Sequence, residues 1–267
     1  MLWDSHMHCC YSGDSEAAPE DMAAAAAARG LPGICFTDHL DLDYPDDPDY
    51  FSLDIAPRAV HLTQLADAWQ GRLEIRCGIE LGLQPQLRDA YHALLLEHDF
   101  DFVIGSSHVV HGFDPYYPAY FEQKTEAEAY REYFSSILEN IRSCDDFDVY
   151  GHLDYVVRYG PNKNKYYSYA RYKDIMDAIL TELIARGKGI ELNTGGFKAG
   201  LGQPNPCCEV VRRYRQLGGE IITLGADAHA PAWVGYEFRQ AADILREAGF
   251  THYTVFRERK PEFLPLG

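Results

Sequence analysis

Histidine, aspartate and glutamate recur in this chain at the ends of short apolar runs, in pairs whose spacing suits chelation. The first is His6-Met7-His8, followed by Thr37-Asp38-His39, Gly78-Ile79-Glu80 and Ser106-Ser107-His108. Then come Gly151-His152-Leu153-Asp154, Glu191-Leu192-Asn193 and Ala226-Asp227-Ala228-His229, and Asp14 stands just past the first pair. Successive side chains on a strand alternate, so His6 and His8 share one side, as do Asp227 and His229 where strand geometry persists. Imidazole and carboxylate together suit zinc, manganese or iron without choosing among them. An H-x-H pair alone is weak, since with 11 histidines in 267 residues chance supplies one in roughly half of such chains. Six strand-end histidines with Asp14, Glu80 and Asp227 are a different matter. Burying so many titratable groups without cations is costly through desolvation and repulsion, so core packing does not generate such a set. His61, His92, His98 and His252 fall in helices or outside the set and read as ordinary residues, and His111 is open.

For these residues to meet, the strand ends must converge. Strands are read at 2–9, 33–39, 73–81, 102–109, 149–153, 189–193 and 220–226, with 252–256 as an eighth strand or an edge element. Helical stretches fill the gaps at 19–29, 56–70, 86–98, 125–142, 170–186, 208–217 and 237–248. The first of these opens on Pro19 and acids, runs through six alanines and stops before Gly30, which is the punctuation of a helix. Strands alternating with helices imply βα units around a parallel sheet, and a closed barrel brings every C-terminal strand end to one face. The expected fold class is therefore α/β, a single barrel domain over residues 1–267 with no dividing linker. Two long loops, 41–51 (DLDYPDDPDYF) and 112–121 (GFDPYYPAYF), are rich in Pro, Asp and aromatics and read as ordered surface loops, as lids or plain excursions. Tyr44, Phe113, Tyr116 and Tyr117 in them are candidates to wall a pocket by stacking.

Charge narrows the partners. With 24 Lys+Arg against 41 Asp+Glu the net charge is −17, and no basic run is present to neutralise a phosphate backbone or dock on anionic lipid. Nucleic acid and membrane are excluded as expected partners, and the sequence sets no oligomeric state. Apolar residues at 46% and aromatics at 13% supply a substantial core. No apolar run approaches membrane-spanning length and the amino terminus lacks a leader pattern, so a cytoplasmic location is expected. The seven cysteines are odd in number, form no C-x-x-C and read as reduced core thiols, Cys9 and Cys10 included.

Taken together, H-x-H, T-D-H, G-x-E, S-x-H, G-H-x-D, E-x-N and A-D-A-H on successive strands resemble the PHP (polymerase and histidinol phosphatase) superfamily. The likeness runs from Asp4 to about Pro231 and is nearest the stand-alone histidinol-phosphatase branch. It implies a distorted (β/α)7 TIM-like barrel with a trinuclear centre of divalent transition-metal ions, zinc, manganese or iron. His6, His8, Glu80 and Asp227 would hold the first ion. Glu80 would bridge to a second ion on His108 and His152, and Asp14, His39 and His229 would hold the third. The implied activity is hydrolysis of a small phosphomonoester, L-histidinol phosphate foremost, by a metal-bridging hydroxide and without a phosphoenzyme. Glu80, Asp227 and Arg158 would be catalytic, with Asp154 a candidate acid for the leaving alcohol. Arg158, Lys198, Glu191 and Asn193 would bind substrate or phosphate. Where family members often carry Ser and Arg, this chain has Gly195 and Lys198, and an ammonium does not grip two oxygens as a guanidinium does. Three other readings compete: a PHP phosphatase for phosphotyrosine, nucleotides or other esters, an amidohydrolase-type barrel, and a non-catalytic metal-bound module. The amidohydrolase pattern wants Lys on strand four, where His108 stands.

Overall fold

A computed structural model describes residues 2–45 and 47–267. Seven short, wholly apolar or ligand-bearing segments lie side by side and all run parallel. They are β1 (Asp4–Met7), β2 (Gly33–Phe36), β4 (Glu74–Gly82), β5 (Phe102–Ser106), β6 (Val149–Tyr150), β7 (Gly189–Asn193) and β8 (Ile222–Gly225), in that order around the sheet. A two-residue strand β3 (His39–Leu40) adds to β4. The sheet closes where Met7 bridges Ala228, His8 N donates to Ala228 O at 2.9 Å and Asp227 N donates to His6 O at 2.9 Å. The result is a nearly closed seven-strand parallel barrel, as expected.

Several of the observed strands stop earlier than their sequence pattern, although β4 runs to Gly82 and β7 ends at Asn193 as expected. The expected 33–39 strand breaks into β2 and β3 because Thr37 N bonds back to Met7 O at 2.9 Å and the Asp38 side chain is engaged elsewhere. Likewise 102–109 ends at Ser106 and 149–153 at Tyr150, so His108 and His152 stand just beyond the ladder, where the chain peels away. The segment at 252–256 is an edge element. It forms β9 (His252–Arg257), paired antiparallel with β10 (Lys260–Pro265) in a separate two-stranded sheet. Pro261 and Pro265 hide β10 from a sequence reading, since proline is tolerated only on strand edges. This hairpin covers the barrel floor: Phe256 stacks on Phe102 at 5.0 Å, and buried Arg76 donates to Phe256 O at 2.7 Å.

Helices α1 (Pro19–Ala28), α2 (Ile55–Trp69), α3 (Arg88–Glu97), α4 (Glu126–Ser143) and α5 (Lys173–Ala185) follow successive strands. After β7 come a single turn, α6 (Gly195–Lys198), and then α7 (Cys208–Gln216), with α8 (Phe238–Ala248) after β8. The α4 start is a capping box, Thr125 Oγ1 accepting from Glu128 N at 3.3 Å and Glu128 Oε2 accepting from Thr125 N at 2.8 Å. Its apolar face, Tyr133, Phe134, Ile137 and Ile141, is wholly buried on the barrel wall. Among the described residues no helix is long and apolar enough to cross a membrane, and all seven cysteines are free. The 41–51 loop is described apart from Asp46, which lies outside the described residues.

Because Ile137 is fully buried, truncation to alanine leaves a cavity on the wall that backs the site. Ile137→Ala is expected to lower stability by about 2–5 kcal/mol, read as a reduced urea midpoint at unchanged slope.

Candidate metal centre

The barrel's C-terminal rim turns the period-two alternation of β1 into geometry. His6 and His8 point inward together, their Nε2 atoms 3.1 Å apart. Glu80, near the end of β4, sits between the rest. One carboxylate oxygen lies 3.0 Å from His6 Nε2 and 3.5 Å from His8 Nε2, and the other 3.0 Å from His152 Nε2 and 3.3 Å from His108 Nε2. Asp227 Oδ1 lies 3.8 Å from His6 Nε2 and 3.5 Å from His8 Nε2. Asp14 Oδ2 lies 2.9 Å from His229 Nε2 and 3.7 Å from His39 Nε2. All nine residues expected as ligands are thus brought together. They fall into overlapping groups of donor atoms, among them His6–His8–Glu80, Glu80–His108–His152 and His8–Asp14–His39–His229. Cys9 and Cys10 stand outside these groups.

The donor set fits divalent cations. His6 Nδ1 is tied to Glu191 Oε1 at 2.6 Å and His8 Nδ1 to Ser12 Oγ at 3.1 Å, so both rings aim their second nitrogen at the same point and at carboxylates. His39 Nδ1 and His152 Nδ1 are buried without a hydrogen-bond partner. Converging lone pairs, with the far ring nitrogens of His6 and His8 tethered, are the arrangement a metal ligand needs.

Electrostatics sort the groups. Burial would raise the Glu80 carboxyl, but the imidazoles of His6, His39 and His108 hold it well below the usual range. Asp227 is likewise held low against burial, by Arg158 and His6. Burial depresses His8 to about 3, with repulsion from His229 and His39 adding to it, and burial also lowers His152. His6 and His108 go the other way, their burial outweighed by Glu191 and Glu80 and by Asp41 and Glu80 respectively. The carboxylates are held toward the ionised form and the His8 and His152 rings toward the neutral one, the forms in which such groups bind metal, whereas His6 and His108, held toward the protonated form by carboxylate neighbours, would release a proton on binding it.

Above the cluster is a cavity of about 290 Å³, lined by His39, His108, His152, Asp227, His229 and Arg158 together with aromatic residues; Tyr155 lies against His152, ring centroids 5.0 Å apart. Tyr44, Tyr116 and Tyr117 line it as expected, while Phe113 does not and is exposed. The two long loops are joined across the cavity: Tyr44 donates to Asp114 Oδ2 at 2.5 Å, and Asp114 Oδ1 accepts from Tyr116 N at 2.7 Å. Arg158 is buried, donating to Asp227 Oδ2, Asn193 Oδ1 and Asn205 Oδ1, each at 2.8 Å, which leaves further N–H groups for the cavity. Lys198 is exposed on α6 and lines an adjoining chamber with Arg158, Gly195 and His229. A Cβ at Gly195 would come within 2.8 Å of Arg158 Nη2, so glycine there lets the guanidinium take this position.

Three expected site residues are placed behind the cavity and do not border it. Asp154 accepts from Cys207 N at 2.9 Å and from Asn205 Nδ2, and burial pushes its carboxyl up to about 6. It therefore holds Asn205 under Arg158 and does not face a leaving group. Glu191 has its oxygens on His6, on His152 N at 3.0 Å and on Asn193 Nδ2 at 2.9 Å. Asn193 supports Arg158. Both are inward hydrogen-bonding residues with no surface left for a substrate. Two residues escaped the sequence reading. Asp41 lies 2.9 Å from His108 Nδ1 and is buried; its i+2 spacing from His39 was the available signal. Asp114 is hidden in a loop, where no periodicity marks it.

A closed parallel barrel that gathers nine imidazole and carboxylate ligands at its C-terminal rim, beside a buried guanidinium, defines a metal-dependent hydrolase of the phosphatase type. The family model described as "PHP domain" matches residues 4–195, and the chain belongs to the PHP family. It is 31% identical over 263 residues to a histidinol-phosphatase of Lactococcus lactis subsp. lactis, covering 96% of this chain and 95% of that protein. It is also 31% identical to a probable histidinol-phosphatase of Deinococcus radiodurans, covering 97% and 98%. The Lactococcus lactis histidinol phosphate phosphatase crystal structure, complexed with zinc, L-histidinol and phosphate, superposes with a TM-score of 0.92 over 98% of each chain.

A Cβ at Gly225 would sit 2.2 Å from Glu191 Oε1 and 2.4 Å from His6 Cβ. Gly225→Ala is expected to displace His6 and lower bound metal per chain, measured by elemental analysis after purification without chelator.

Proposed function

We propose that residues 1–267 act as one phosphoesterase domain that hydrolyses L-histidinol phosphate to L-histidinol and phosphate, with three divalent transition-metal ions. The first ion would be held by His6, His8, Glu80 and Asp227, the second by Glu80, His108 and His152, and the third by Asp14, His39 and His229. Bound there, the ions supply Lewis-acid neutralisation of phosphoryl oxygens and a water of lowered pKa. The observation that carries the substrate choice is the cavity itself, whose lining combines the imidazole and carboxylate cluster with aromatic rings and a buried carboxylate outside that cluster, Asp114.

The chain's own residues divide the work. Arg158 holds Asp227 through Nη1 and offers its remaining N–H groups to a phosphate oxygen. Lys198, its ammonium 5.4 Å from the Trp233 ring centroid, adds positive charge at the adjoining chamber, where it steers a dianion without the two-point grip of a guanidinium. Tyr44, Tyr116 and Tyr155 present ring faces against which an imidazole stacks. Asp114, anchored by Tyr44 and Tyr116 N, faces the cationic end of an amino-alcohol ester. The zinc, L-histidinol and phosphate bound by the Lactococcus lactis enzyme support this reading.

Zinc-loaded protein is expected to show a kcat/KM for L-histidinol phosphate at least about tenfold above that for p-nitrophenyl phosphate; equal values would overturn the substrate assignment. In Asp114→Asn the KM for L-histidinol phosphate is expected to rise about tenfold, the scale of one charge-assisted hydrogen bond. Turnover of p-nitrophenyl phosphate, which lacks a cationic end, is the control and should stay near wild type.

A further inference from the structure

Asp38 in the T-D-H segment is a buried carboxylate that the proposed chemistry leaves unused. It is fully buried, and so is the arginine beside it, Arg58 on α2. Arg58 Nε donates to Asp38 Oδ2 at 2.6 Å, Nη2 to Phe36 O at 3.0 Å and Gly78 O at 2.9 Å, and Nη1 to Cys77 Sγ at 3.2 Å. A guanidinium this enclosed stays charged, so Asp38 is an ionised, acceptor-only partner. Its Oδ1 accepts from Cys9 N at 2.7 Å and from Ser12 Oγ at 3.4 Å. Once the Ser12 proton points to Asp38, the oxygen has lone pairs for donors alone. It accepts from His39 N at 2.9 Å, and its remaining neighbour is His8 Nδ1 at 3.1 Å. Polarity therefore runs one way along the chain of contacts, and the His8 proton sits on Nδ1. The other ring nitrogen, Nε2, is left with its lone pair aimed at Glu80 and Asp227.

We propose that Arg58, Asp38 and Ser12 form a strut that fixes the tautomer of His8, and that Ser12 and Asp38 are positioning residues for metal capture. The strut rests on the metal-centre reading above and deepens it. It also explains a buried ion pair on the outer side of β2 and β4, where an apolar pair would pack as well. The Ser12 backbone is placed independently, its N–H bonded to Cys9 O at 2.8 Å, while its hydroxyl also accepts from His39 N.

The test uses ¹⁵N-histidine-labelled wild type, Ser12→Ala, Ser12→Thr and Asp38→Asn. Zinc affinity is read by competition with a chromophoric chelator, and the His8 ring by its nitrogen shifts in the zinc-loaded protein. Wild type is expected to carry the His8 proton on Nδ1. Ser12→Ala should bind zinc about 10–100-fold more weakly and lose the Nδ1 proton signal to exchange, with a lower metal-free melting temperature as well, because His39 N loses its acceptor. Ser12→Thr, which keeps the hydroxyl, should restore both readouts. If Asp38→Asn does not fold, the Ser12 pair decides. Zinc affinity within twofold of wild type together with an unchanged nitrogen pattern in Ser12→Ala overturns the strut alone. A wild-type chain that takes up no zinc overturns the metal-centre reading, and the strut with it.

Discussion

The structure depends on keeping the Glu80 carboxylate charged in a place with no water. It is wholly buried on β4, and an isolated carboxylate at that depth carries a desolvation cost of several kcal/mol. What offsets it is convergence. Imidazoles from β1, from the ends of β5 and β6 and from β3 face its two oxygens, and Ser106 Oγ donates to one of them at 2.6 Å. Only an arrangement in which strand ends from across the sequence meet at one point can supply so many partners, and a closed parallel barrel is such an arrangement. The early ending of the strands follows from the same demand. A side chain still in the ladder is fixed by sheet geometry, whereas His108 and His152, just past it, are free to turn inward.

Behind the cluster lies a layer of hydrogen bonds that makes its geometry single-valued. Each of three rings has one nitrogen committed rearward: His6 to Glu191, His8 to Ser12 and His108 to Asp41. The Arg158 guanidinium is held in the same manner by Asn193 and Asn205, and Asp154 in turn holds Asn205. In a low-dielectric interior an unsatisfied member of such a network is costly, so the rearward partners are as constrained as the ligands. The close fit of Gly225 and Gly195 against these side chains shows how little room remains for adjustment.

This two-layer construction explains what could be read in advance. The barrel and eight of the nine converging side chains were legible because strand alternation and strand-end position depend only on local pattern, and fold closure does the rest; Asp14, in the loop after β1, was assigned through the family resemblance. Glu191, Asn193 and Asp154 lie on the same strand ends and are of the same residue types, so pattern alone could not tell forward from rearward; that depends on which way each side chain turns after closure. Asp41 was hidden inside a loop read for its composition, although it sits at i+2 from His39. Asp114 had no periodic neighbour at all. Its role emerges only when two loops remote in sequence, one carrying Tyr44 and the other Asp114, meet across the cavity. Strand β10 was obscured for the opposite reason: its prolines argue against a strand unless the edge position is known.

The acidity of the chain takes a different meaning once the site is placed. A net charge of −17 disfavours polyanions over the whole exterior, but the field inside the cavity is set by what lies within a few ångströms, since solvent screens exposed charges beyond a Debye length of about 8 Å. There the divalent ions that the ligand set fits would join Arg158 and oppose Asp14, Glu80 and Asp227. The acidic exterior and the cationic base then act in series, the first against large phosphate-bearing polymers and the second in favour of a single phosphate. Asp114 and the tyrosines would then add a second selection, since a neutral or anionic leaving group would gain nothing from the buried carboxylate. Selection in this site would then be an ordering of charge, with phosphate at the imidazole and carboxylate cluster and positive charge toward Asp114.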